Sequence, residues 1–181
     1  LLDEAVLKSE EILREKNPKL EEEEINRISK IIGIGSILYG NLRQSRQKNI
    51  SFDWDRMLSL ENGSSVYLQY VFVRINSILN KINEDLPGQI VFKEDIEFEL
   101  AKKLSFFPEV IARAQQNEAP HFICVYLEEL AQISNSFYEK VSVLKTEEKD
   151  LKNSRLLLLK SVSRVLERGL GILNIGMPEK M

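Results

Sequence analysis

Apolar residues recur along most of the chain at spacings of three and four, the period of a helix with one buried side. In residues 1–16, Leu2, Val6, Ile12 and Leu13 gather roughly on one side. Asn17-Pro18 ends that run, because proline disfavours helical backbone in the residue before it. The acidic run at 21–24 suits the positive end of a second helix. Its inward side is predicted to be Ile25, Ile28, Ile31, Ile32 and Leu38. Residues 40–63 then read as a long connection, basic at first and aromatic-acidic later, longer than most loops inside a domain. The domain boundary is placed there, dividing residues 1–45 from 46–181.

Ser64 or Ser65 can cap a third helix running to about Asn83. Leu68, Val71, Phe72, Ile75, Ile78, Leu79 and Ile82 fall on one arc of it, and Leu86-Pro87-Gly88 closes the unit. A fourth helix is predicted near 94–104 and a fifth with Pro108 in its first turn, where the missing N–H costs nothing. A sixth starts at Pro120, runs to about Lys140, and buries Phe122, Ile123, Tyr126, Leu127, Leu130, Ile133 and Phe137. Thr146 caps a last long helix with the stripe Leu158, Leu159, Val162, Val165, Leu166, Gly169 and Leu173, which Gly176 is placed to terminate. The predicted fold class is all-α, a helical bundle.

Composition agrees with this: 8 Gly and 5 Pro punctuate 181 residues. The formal charge of −3 gives no bulk argument for nucleic-acid binding. Phosphate affinity depends on where cations lie, however, and the charge is segregated. Residues 1–24 hold nine acids against four bases, and residues 145–181 hold eight bases against five acids. The lone Cys124 excludes an internal disulfide and fits a reducing, cytoplasmic setting. No apolar run approaches the roughly 18 residues of a membrane span, so no membrane partner is expected. The first residue, Leu1, already sits in an amphipathic pattern, which reads as the interior of a longer chain.

Candidates for catalysis are few. His121 and Cys124 share a helix face, but two ligands do not make a zinc site. Gly33-Ile34-Gly35 and Gly169-Leu170-Gly171 lack the rest of a nucleotide-binding signature and read as close helix contacts. Asp53 and Asp55 flank Trp54 without a third ligand, which favours a loop or capping role. No catalytic residue, cofactor or metal is assigned to this chain, and a binding module is the better class.

Three features lean toward RNA. Tyr70 and Arg74 share a face about 90–130° from the core direction of their helix. A ring and a guanidinium side by side can stack an unpaired base, or they can be an ordinary amphipathic rim. Tyr138 lies at a similar rim, where a tyrosine also serves as a core-edge residue. Lys160, Arg164 and Arg168 form a ridge opposite the last apolar stripe, with Lys152 and Arg155 adding charge earlier. That ridge could meet phosphates or simply be a solvated face. A helical module that docks a protein partner and has no RNA role is the alternative reading.

Specific stretches go further. Residues 52–79 carry Phe52, Trp54, Asp55, Met57, Leu58 and Gly63, then Tyr67, Gln69, Tyr70 and Arg74. With LAKKLSFFPEVI at 100–111, YLEELAQISNSFYEKVSVL at 126–144 and the terminal stretch 154–181, they stand in the order found in one family. The chain resembles the C-terminal, DALR-type anticodon-binding domain of arginyl-tRNA synthetases. It departs from that pattern at Ile133-Ser134, at Asn174 (commonly Gly) and at Lys180 (commonly Arg).

The resemblance implies a division of labour. Residues 1–45 would be the tail of a catalytic half, which lies upstream and uses ATP with Mg to join arginine to tRNA. Residues 46–181 would bind the anticodon stem-loop of tRNA(Arg). By position, the family's base-receiving residues fall on Tyr70, Arg74, Tyr138 and Met181, and Lys160 and Arg164 would steer the stem.

Overall fold

In this computed structural model, which describes residues 1–47, 52–82 and 90–181, every regular element is helical among the described residues. The expected end of the third predicted helix at Asn83, and its closure at Leu86-Pro87-Gly88, lie outside the described residues. Helix α1 is Leu2–Lys16, α2 is Glu22–Leu42 and α3 is the short Trp54–Met57. Then come α4 Ser65–Leu79, α5 Asp95–Ser105, α6 Phe107–Gln116, α7 His121–Lys140, a 3-10 turn Val143–Lys145, and α8 Lys149–Ile172. The main core lies between α4, α5, α7 and α8, around Leu68, Leu100, Leu127, Leu130, Phe137, Leu159 and Leu166. Helices α1 and α2 form an antechamber with smaller clusters around Ile28 and Ile37.

Local chemistry sets most boundaries. Ser64 Oγ accepts from the Tyr67 amide at 3.0 Å to start α4. Asp53 starts α3 the same way, accepting from the Asp55 and Arg56 amides, which is the capping role its sequence position suggested. Gly40, Asn41 and Leu42, expected in the connection, complete the last turn of α2.

Other expectations need correction. The buried stripe of α1 is Ala5, Ser9 and Leu13, while Leu2 and Ile12 are exposed. The cause is Gly33 on α2: a Cβ there would lie 2.7 Å from the Val6 backbone nitrogen, so only small residues fit that crossing. Gly169 likewise leaves room for Leu127, but Gly171 faces open space and is no packing point. Thr146 does not cap α8, which begins at Lys149; its hydroxyl donates to the Ser142 carbonyl and accepts from Arg155 Nη1. Gly176 does not end α8 either. Asn174 does, with a φ of 59° and the two bonds Asn174 N to Gly171 O and Ile175 N to Leu170 O. Asparagine tolerates this left-handed conformation, which explains why it can replace the family's glycine there.

Two buried carboxylates tie the helices together. Glu97 on α5 is fully buried. It accepts from the Lys93 and Glu94 amides at 2.5 and 2.9 Å and from Arg155 Nε at 2.6 Å. Arg155 is itself only 8% exposed. It therefore does not belong to the exposed basic ridge on which the sequence reading placed it. Burial alone would raise the Glu97 carboxyl, but the two amides and the guanidinium together hold it below its ordinary value. Glu128 on α7, 6% exposed, accepts from the Tyr39 hydroxyl at 2.8 Å and from Arg43 Nε and Nη2 at 2.5 and 3.1 Å. Arg43 is seated over Gly63, whose φ of 105° suits glycine and where a Cβ would lie 3.2 Å from the guanidinium.

Removing one member of a buried pair strands the other, at a cost of about 3–5 kcal/mol, whereas replacing both by apolar groups is far milder. Glu128→Leu should therefore lower stability to urea by about that amount, and adding Arg43→Met should restore part of it. For Glu97 the sign follows from its depressed pKa. Its contribution is full above the ordinary carboxylate value of 4.5 and is lost as pH falls through the lower folded value. Glu97→Gln should be less stable than the parent at neutral pH, and the gap should narrow when urea unfolding is repeated below pH 4.5.

Candidate nucleic-acid interface

Helices α4 and α7 lie side by side and meet through polar contacts at their outer edge. Asn135 Nδ2 on α7 donates to the Tyr67 hydroxyl on α4 at 2.9 Å. Two turns further along α4 and one turn further along α7, the Arg74 guanidinium lies over the Tyr138 ring, with Cζ 4.3 Å from the ring centroid. Both side chains are half-buried. Tyr70, on the same side of α4, is 43% exposed. Tyr70 and Arg74 share one face of α4, as their spacing predicts, and Arg74 also reaches across to Tyr138 on α7.

Next to this edge opens a cleft of about 330 Å³. Tyr70 and Met181 line it together with Leu13 and Ile12 of α1, Ile32 of α2, and Leu58 and Leu60. Met181 is half-buried and packs against both the main core and the cluster around Ile28. It is brought there by a docked terminus. Gln69 Nε2 donates to the Gly176 carbonyl at 2.8 Å, Lys180 Nζ reaches Glu24 at 2.5 Å, and Arg27 reaches Glu179 at 3.3 Å. Lysine therefore serves at position 180 as a single charge against one carboxylate. The contribution of α1 to the cleft was not anticipated. Its signal was Ile12, an apolar residue off the buried stripe of its own helix.

Lys160 and Arg164 lie elsewhere. With Asn76, Leu79, Asn80, Ile82 and Ser163 they line a second cleft of about 290 Å³, where α8 crosses the end of α4. Ser163 Oγ donates to Asn76 Oδ1 at 2.7 Å, which leaves the Asn76 amide nitrogen available as a donor. Arg74 and Asn76 are about 160° apart around α4 at 100° per residue, so the cations and the Arg74–Tyr138 edge flank the helix on opposite sides. The structure thus brings Tyr70 and Met181 to one cleft and Arg74 and Tyr138 to one stack, and sets Lys160 and Arg164 apart from both.

The remaining candidates for chemistry are accounted for. Cys124 is fully buried, and burial together with the Glu128 carboxylate pushes its thiol up to about 12. His121 lies at the start of α7 with its ring 4.4 Å from that of Phe122. No group of three or more metal-ligating side chains occurs among the described residues.

Comparison with known proteins places this geometry. Residues 68–181 match the family model of the DALR anticodon binding domain, and residues 1–54 match that of the catalytic domain of class I tRNA synthetases (R). An arginine–tRNA ligase of Proteus mirabilis is 38% identical over 184 residues, covering 100% of this chain and 32% of that protein. One from Haemophilus influenzae is 40% identical over 185 residues, with the same coverage of 100% and 32%. The chain thus spans about a third of the length of the curated relatives it matches. Among solved structures, Thermus thermophilus arginyl-tRNA synthetase superposes with a TM-score of 0.90 at 31% identity, over 99% of this chain and 31% of that one. Matched in sequence over most of its length and in fold over nearly all of it, the chain belongs to the DALR anticodon binding domain family, in the form carried by arginyl-tRNA synthetases.

Proposed function

We propose that this chain binds the anticodon stem-loop of tRNA(Arg) as the C-terminal part of an arginine–tRNA ligase working in the cytoplasm. The parent enzyme would charge tRNA with arginine, using ATP and Mg held by the catalytic part upstream. Residues 1–45 would be the end of that part, and residues 46–181 the anticodon-binding bundle. The chain alone would bind and not catalyse.

The observation that carries this reading is the outer edge of α4 and α7. There Tyr70 stands exposed beside a largely apolar cleft that Met181 also lines, and the Arg74 guanidinium lies over the Tyr138 ring. An unpaired base needs a flat π surface and hydrogen-bond donors at its rim, and sequence-specific RNA recognition targets such splayed bases. Lys160 and Arg164, which line one cleft with Asn76, would meet backbone phosphates of the stem rather than bases. Arg74 and the pair Lys160 and Arg164 thus have separate tasks: Arg74 near bases at the α4–α7 edge, the pair neutralising charge.

The test is affinity for tRNA(Arg) against a non-cognate tRNA as a function of salt. Tyr70→Ala and Arg74→Ala should each weaken tRNA(Arg) binding by about 5- to 150-fold, the equivalent of about 1–3 kcal/mol per lost stack, with helical circular dichroism unchanged. The double substitution Lys160→Ala, Arg164→Ala should weaken both tRNAs alike and reduce the slope of log affinity against log salt by about 1–2. Equal affinity of the parent chain for both tRNAs, or none for either, would contradict the proposal.

A further inference from the structure

Residues 175–181 cross α2 and α4 on few main-chain contacts. The Ile175 amide donates to the Leu170 carbonyl at 2.9 Å, and the Gly176 carbonyl accepts from Gln69 Nε2 at 2.8 Å. Among the described residues, no hydrogen bond reaches the main chain of residues 177–181. Ile175 and Pro178 are buried, and Met177 and Met181 are half-buried. The charged clips to α2, Arg27 to Glu179 and Lys180 to Glu24, join side chains that water reaches. The seam beneath Ile175 is polar and incompletely paired. Ser65 and Gln69 are fully buried, yet Ser65 Oγ and Gln69 Oε1 have no hydrogen-bond partner. A Cβ on Gly35 would lie 3.1 Å from Ile175 Cγ2, 3.3 Å from Gln69 Nε2 and 3.7 Å from Ser65 Oγ, so these groups gather around one point on α2.

We propose that residues 175–181 form a strap, hinged at Asn174, that docks and lifts as a unit while the helices stay folded, with its balance set by the unpaired Ser65 and Gln69 oxygens and by the charged clips. This inference goes beyond the anticodon-binding reading and does not depend on it. Burial of Ile175 and Pro178 and partial burial of the two methionines favour docking. Opposing them are the ordering of the segment and the unpaired oxygens, which find partners only when water enters the seam. One buried polar atom left unpaired shifts an equilibrium by about 5- to 150-fold, so the two together offset much of what the apolar contacts supply. Lifting returns both oxygens to water and breaks only the main-chain bonds of Ile175 and Gly176. The clips make the balance depend on salt, because exposed ion pairs are screened. The strap has two structural consequences. Met181 is part of the wall of the cleft between α1 and Tyr70, so lifting removes that wall. The clips hold the end of a segment that matches an anticodon-binding domain to α2, which lies in the segment that matches a catalytic domain.

The test is amide hydrogen exchange of the whole chain, without RNA, followed by nuclear magnetic resonance in low and in high sodium chloride at one pH. The buried Ile175 amide reports the strap, and the amide of Leu130, in the middle of α7, reports global opening. In the parent, Ile175 should exchange at least about tenfold faster than Leu130, and high salt should speed it about two- to tenfold. The double variant Glu24→Gln, Arg27→Gln should exchange fast at Ile175 in both salts. Ser65→Ala removes an oxygen that is penalised only under the docked strap, so it should slow Ile175 exchange by about fivefold or more. Gly35→Ala crowds Ile175 and Gln69 and should speed it by about tenfold or more, with Leu130 no faster than in the parent. Exchange of Ile175 at the rate of Leu130, unchanged by salt, would overturn the inference, because the terminus would then leave only when the whole protein unfolds. Unchanged or faster Ile175 exchange in Ser65→Ala would overturn it too, because the unpaired hydroxyl would then not oppose docking. Neither result bears on whether the chain binds RNA.

Discussion

A carboxylate withdrawn from water must be met by hydrogen-bond donors, and in this protein the donors for Glu128 come from a different part of the chain. The Tyr39 hydroxyl and the Arg43 guanidinium, both at the C-terminal end of α2, converge on a carboxylate of α7. Burial and the neighbouring Cys124 and Glu128 keep the Tyr39 hydroxyl protonated far above its usual range, so it remains a donor at any working pH. This contact fixes α2 against α7. Tyr138 lies ten residues beyond Glu128 on the same helix, about 15 Å along its axis at 1.5 Å per residue. The position of the ring beneath Arg74 is therefore set by a rigid rod pinned at its middle to α2. Since α1 packs on α2 at Gly33, the same pin also places the α1 wall of the cleft that Tyr70 lines. The segment matching a catalytic domain and the segment matching an anticodon-binding domain are thus joined through buried charge as well as through the chain itself.

The end of the chain depends on the same frame. Helix α8 must stop where the remaining residues can turn back over α2 and α4, and the left-handed Asn174 makes that turn. Ile175 then drops into the core, Gly176 is held by Gln69, and the charged pairs at Glu179 and Lys180 clip the tail to α2. Each contact is small, and exposed pairs contribute little to stability. Their combined effect is geometric: Met181 arrives beside Tyr70, at the wall shared by the two halves.

Much of this was legible in the sequence, and what was not has physical causes. The long helices were plain because large apolar residues repeat at helical spacing, as in α4 and α7. The buried stripe of α1 was hidden because a crossing at a glycine selects Ala5 and Ser9, which carry almost no hydrophobic signal. Arg155 was assigned to a solvated ridge because a charged residue looks exposed until its partner, Glu97, is known; 58 residues separate the two. Thr146 looked like a helix cap for the same reason, its hydroxyl being drawn into that buried network. For the interface, a helical wheel was enough to put Tyr70 and Arg74 on one face. It could not reveal the stack of Arg74 on Tyr138, which depends on how α4 meets α7, nor that Lys160 and Arg164 fall on the far side of α4. Periodicity describes one helix at a time, and the interface is a property of pairs.

The central claim is that the α4–α7 edge, and not another surface, receives the unpaired bases. Nuclear magnetic resonance of the chain titrated with a tRNA(Arg) anticodon stem-loop addresses it directly, through the ring signals of Tyr70 and Tyr138, the guanidinium of Arg74 and the methyl of Met181. Large shifts concentrated on these four side chains, with smaller ones at Lys160 and Arg164, are the predicted result. A saturable complex whose shifts avoid all four would contradict the account.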